Sequence, residues 1–136
     1  MANLVGRQLN WSAALVPFAL DGVIVIVFVA IGRGAHRHGV TTSGMASTLW
    51  PFAIGLAAGW LGAIKLHLRP RAQAAAVVIV SVTVAIGMAL RVISGQGTAF
   101  AFILVALGFL GALMIGWRLL YQMAERRYLN GRAPKS

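Results

Sequence analysis

The 136-residue sequence contains no cysteine and only two acidic residues, Asp21 and Glu125, against twelve lysines and arginines. Without cysteine there is no disulfide framework, no thiolate metal site and no thiol nucleophile. Charged residues make up 10% of the chain and hydrophobic ones 60%. An ordinary soluble domain carries about 25% charged residues, and it needs them, because lysine and glutamate are almost never fully buried. This chain has no material for a polar shell. That excludes a soluble enzyme, a nucleic-acid module and a disordered tail, and the length allows one domain. The net charge of +10 does not reopen nucleic-acid binding. The basic residues sit at the ends of apolar runs rather than along one face with interleaved aromatics.

What is there is apolar and comes in four stretches, at residues 13–32, 46–64, 74–93 and 98–117. About 20 helical residues, rising about 1.5 Å each, cross a hydrocarbon core of about 30 Å. Membrane strands would need only about 9–11 residues of alternating polarity, and no such alternation is present. The sequence therefore predicts an all-α integral membrane protein, a four-transmembrane-helix bundle filling residues 13–120. An N-terminal segment (1–12) precedes it and a basic tail (121–136) follows. Pro70 marks a turn between helices 2 and 3. Ser94-Gly95-Gln96-Gly97 reads as a tight reversal, since two glycines supply positive φ. The tail begins as a continuation of helix 4 and breaks at Asn130-Gly131 and Pro134. Helix 1 reads as a span rather than a cleaved signal peptide: it is long for one, carries Asp21 and lacks a small-x-small cleavage site.

Lysine and arginine fix the expected orientation. Nine lie on one side: Arg7; Lys65, Arg69 and Arg71; and Arg118, Arg126, Arg127, Arg132 and Lys135. Three lie on the other: Arg33, Arg37 and Arg91. This bias places both termini in the cytoplasm, with Trp11 and Trp117 marking the inner interface and Trp50 the outer one.

Few residues could do chemistry inside the bilayer. A charge at mid-membrane costs at least about 2.5–3.5 kcal/mol, which makes Asp21 a functional hypothesis by default. Three readings compete. Pro17 could be the first-turn proline of helix 1, leaving Asp21 a helix-end anion favoured by the dipole. Asp21 could belong to an internal ion bridge. Or it could handle a proton or cation. Asp21 lies roughly 12 Å deep, and Arg91 roughly 13 Å further out, counting about 1.5 Å per residue. Lys65 and Arg118, at the inner ends of helices 2 and 4, match it better in depth. The bland reading of Arg91 is snorkelling to head groups or capping carbonyls near Ser94. Gly55, Gly59 and Gly62 in helix 2, and Gly108, Gly111 and Gly116 in helix 4, form small-residue stripes suited to close helix packing. Internal packing and a homodimer seam both fit them. His36-Arg37-His38 lacks further ligands nearby, so no metal is predicted. Ser81, Thr83 and Thr98 have no His–acid partner, so no nucleophile is visible.

Several motifs together resemble a known family. They are Asp21 followed by Phe28-Val-Ala-Ile-Gly32-Arg33 and His36; Trp50-Pro51-Phe52 with Gly55 and Gly59-Trp60; Gly87-Met88-Ala-Leu90-Arg91 leading to Gly95-Gln96-Gly97-Thr98-Ala99-Phe100; and Gly116-Trp117-Arg118. The ordered set is similar to the uncharacterised actinobacterial and archaeal membrane family called domain of unknown function 3054, over about residues 17–120. Helix 3 departs from it by opening on an alanine run without tryptophan, and helix 4 by its basic tail. The resemblance implies four membrane helices and offers no activity.

Two function classes follow. The leading expectation is a multi-pass protein of the bacterial inner membrane, structural or accessory, without catalysis or cofactor. Its partners would be the lipid bilayer and other membrane proteins or further copies of itself. The alternative is a small transporter or ion- or proton-conducting oligomer using Asp21, by analogy of layout with four-helix exporters. A membrane enzyme acting on lipid is a third possibility.

Overall fold

Four α-helices account for nearly all of the described chain: α1 (Trp11–Ala35), α2 (Thr42–Lys65), α3 (Gln73–Ile93) and α4 (Phe100–Gly131). The structure, a computed structural model, describes residues 11–35 and 41–132. Arg7, His36, Arg37, His38, Lys135 and the side chain of Trp11 lie outside the described residues. All four helices are long and apolar enough to cross a membrane.

The helices outrun the apolar stretches at most ends. Hydropathy marks the segment that suits hydrocarbon, whereas the backbone continues hydrogen bonding into polar sequence on either side. Thus α2 starts at Thr42, with Thr41 as its N-cap accepting from Gly44 N at 3.2 Å, a role suited to threonine. Pro17 is not a first-turn residue: α1 begins six residues earlier, and Pro17 lies buried inside it. Pro51 lies inside α2 in the same way. Proline has no N–H, so the carbonyl four residues back loses its helical partner. At Ser47 the gap is filled, because Gln96 Nε2 donates to Ser47 O at 2.9 Å.

Two helices end in the same left-handed motif. After α3, Gly95 N bonds Val92 O and Gln96 N bonds Arg91 O, with Gly95 at φ 75°. After α2, His67 N bonds Ile64 O and Leu68 N bonds Ala63 O, with His67 at φ 55°. These are the paired bonds of a Schellman cap. Gly97, at φ 69°, completes the turn into α4.

Sequence neighbours pack side by side and α1 closes the ring on α4, while the diagonal pairs make no close backbone approach. Helices α2 and α3 share the most extensive contact, and the glycines explain it. A Cβ on Gly55 would come within 2.5 Å of Thr83 O, and one on Gly59 within 2.9 Å of Ile79 O. The two backbones approach to a distance no side chain would allow. Gly62 is looser, since a Cβ there would meet only Val78 Cγ1 at 3.7 Å. Gly87, outside the small-residue stripes read from the sequence, also matters for packing: Phe52 occupies the space its Cβ would need.

The stripe in α4 is a correction. A Cβ on Gly108, Gly111 or Gly116 would meet no neighbouring atom within 4 Å. The buried positions of α4 are Ala106, Leu110, Met114 and Arg118, every fourth residue. The three glycines fall beside that line, so they do not serve packing inside the bundle. The core around it is apolar and partly aromatic. Phe28 meets Phe52 edge-on at 5.5 Å, with Phe102 and Phe109 at 5.7 and 5.6 Å. Large apolar side chains also cover the outside, among them Leu15, Val23, Ile54, Val77, Leu104 and Leu120.

Candidate functional site

The inward line of α1 runs Pro17, Asp21, Val25 and Val29, at steps of four residues, with Phe28 beside it. Its one polar member is Asp21, which is 0% exposed. On α4 the corresponding line ends in Arg118, also 0% exposed. The two meet as a two-pronged ion pair. Arg118 Nη2 donates to Asp21 Oδ2 at 2.8 Å and Nη1 to Oδ1 at 3.0 Å. This parallel geometry is available to a guanidinium and not to an ammonium.

Two indoles complete the shell. Trp60 Nε1, from α2, donates to Asp21 Oδ2 at 3.1 Å. Trp117 Nε1, from α4, donates to Oδ1 at 3.0 Å. An ionised carboxylate offers about four acceptor positions, and here each oxygen accepts two bonds. Arg118 is held as fully. Its Nε donates to Pro70 O at 2.9 Å, reaching the α2–α3 connection, and Nη1 also donates to Met114 O at 3.1 Å. The guanidinium lies over the Trp117 ring at 4.4 Å, and Phe18 meets Trp60 edge-on at 5.6 Å. One carboxylate therefore joins α1, α2 and α4, and its arginine adds the turn that leads into α3.

Of the four polar residues singled out in the sequence, the structure brings two together. Lys65 is exposed in the last turn of α2. The inward line of α2 passes through Leu56, Trp60 and Ala63, and Lys65, two residues past Ala63, faces away from it. Arg91 lies toward the other end of the bundle, where its Nη1 donates to Gln96 Oε1 at 3.1 Å. The reading of Asp21 as a helix-end anion fails, because α1 continues ten residues before it and the carboxylate is buried and paired. Trp117 is not simply an interface marker, since it bonds Asp21. Sequence reasoning missed both indoles as ligands of the carboxylate. The available signal was that tryptophans are among the few N–H donors in these apolar runs. Among the described residues, no group of three or more His, Asp or Glu side chains comes together to hold a metal.

Fold and site together define a class: an all-helical protein whose described residues form four apolar, membrane-length helices tied by a buried ion pair. The model of a family described as a protein of unknown function, domain of unknown function 3054, matches residues 18–121, and the chain belongs to that family. The match spans Asp21, Trp60, Trp117 and Arg118 and stops at the first residue of the basic tail. No curated protein and no solved structure matches the chain.

Proposed function

We propose that this chain is a non-catalytic, multi-pass protein of the bacterial inner membrane, with both termini in the cytoplasm, acting as a structural or accessory subunit. Its partners in this reading are the lipid bilayer and other membrane proteins or further copies of itself. One observation carries the choice between a structural and a transporting role. Every acceptor position of Asp21 is filled by an N–H donor, and two of those bonds come from a buried arginine. A proton carrier must open a lone pair in each cycle. Here protonation would displace a donor and leave the Arg118 charge buried without its partner. Losing one member of a buried pair typically costs about 3–5 kcal/mol. That is a large barrier for a shuttle and a useful property for a clamp. The apolar exterior and the distribution of basic residues support the membrane setting and the orientation.

Asp21→Asn tests the role directly. Yield, thermal stability in detergent and ion flux in proteoliposomes are measured together. The proposal expects the variant to lose stability by about 3–5 kcal/mol, with no flux in the parent protein for it to abolish. A stable Asp21→Asn protein that loses a flux present in the parent would establish the transporter instead.

A further inference from the structure

At the end of the bundle away from Asp21, the last turns of α1, the first turns of α2 and the α3–α4 connection border a cleft of about 1040 Å³. Its apolar lining includes Phe28, Val29, Trp50 and Phe102. Its polar lining includes Arg33, Arg91, Ser47, Thr48, Gln96 and Thr98. Both guanidiniums are held in place. Arg33 Nη1 donates to Thr48 Oγ1 at 3.0 Å. Gly44 leaves room for the Arg33 guanidinium, with which a Cβ would collide. Arg91 lies over the Phe102 ring at 5.0 Å and bonds Gln96, which in turn is anchored on Ser47 O. The Nε of Arg91 is buried and has no acceptor.

The rest of the cleft has the same sign. Helix α4 begins here with Ala99 as N-cap, no side-chain cap and no acid in its first turn, so the positive end of its dipole is uncompensated. Both acidic side chains of the chain are elsewhere. Asp21 is taken by Arg118, and Glu125 lines a separate cleft beside Arg69 and Arg71. Two fixed guanidiniums, hydroxyls, a helix N-terminus and an aromatic wall thus surround one space.

We infer that this cleft binds a phosphate oxyanion. Guanidinium forks match phosphate oxygens two at a time. The phosphate can belong to a lipid head group, whose glycerol and acyl portion would lie along Phe28 and Phe102, or it can be free in solution.

The test uses the full chain purified in a non-ionic detergent. Retained phosphatidylglycerol and phosphatidylcholine are counted by native mass spectrometry, and inorganic phosphate is titrated calorimetrically. The variants are Arg91→Gln and Arg33→Gln, with Arg71→Gln, from the opposite end, as control. The expected result is one bound phosphate species per chain. Affinity should fall about ten- to hundredfold in both cleft variants, the worth of a charge-assisted hydrogen bond, and stay unchanged in Arg71→Gln. Retention of phosphatidylglycerol without phosphate binding identifies a lipid head group, whereas saturable phosphate binding that displaces the lipid identifies a free-anion site. If Arg91→Gln does not fold, Arg33→Gln decides. The inference is overturned if neither phosphatidylglycerol nor phosphate binds the parent, or if the folded cleft variants bind as the parent does. It is also overturned if Arg71→Gln weakens binding equally.

Discussion

Asp21 accepts from three side chains on two other helices, so its environment is set by donors rather than by water. Each of those donors has a separable effect. Trp60→Phe keeps most of the ring but removes one N–H from a charged acceptor, a bond worth about 1.5–3 kcal/mol. Thermal unfolding in detergent should show a loss of that order, and unchanged stability would mean that Trp60 contributes only packing. How far the sequence disclosed this site depends on the residue. Asp21 was conspicuous as the one carboxylate inside a span, and depth narrowed its cation to Lys65 or Arg118. Depth could go no further, because it says nothing about rotation around the helix axis. The line from Ala106 through Leu110 and Met114 turns Arg118 inward, whereas Lys65 falls off the inward line of α2. That rotation is a property of packing.

Among the helices, the glycines show why an apolar bundle is hard to read from composition. In water, a buried stripe contrasts with a polar face. In lipid both faces are apolar, and a small residue can serve close approach or simply face outward. Gly55 and Gly59 do the first, and Gly108, Gly111 and Gly116 do not meet a neighbour at all. Opposite outcomes follow. Gly59→Leu forces a branched side chain against the Ile79 backbone and should cost at least about 1–3 kcal/mol. Gly108→Ala adds a methyl into open space and removes a poor helix former, so stability should hold or rise by up to about 1 kcal/mol. Paired melting curves check both, and equal losses would place the two glycines in similar surroundings. The turns were more legible than the stripes. Gly95 and Gly97 have the positive φ their sequence implies, while His67 adopts it with no glycine to announce it.

For the whole molecule, the number of helices followed from length and hydropathy alone, because about 20 apolar residues have few other fates. Their packing order and the ion pair that ties them did not, since both depend on which face of each helix turns inward. The proposed orientation rests on the basic residues. A reporter active only in the cytoplasm should be active when fused after Ser136 and silent when fused near Thr42, given nine lysines and arginines on one side and three on the other. Equal activity at both sites would indicate dual insertion. The central claim is that Asp21 and Arg118 hold the bundle together as a pair, and a double-mutant cycle reads it most directly. Asp21→Leu, Arg118→Met and the combined variant are unfolded by denaturant in mixed micelles. Each single change should cost about 3–5 kcal/mol by stranding a buried charge, and the combined change should cost clearly less than their sum, because an apolar pair strands no charge and leaves only the neutral partners, the two indole N–H groups and Pro70 O, without their bonds. Strictly additive losses would contradict the account.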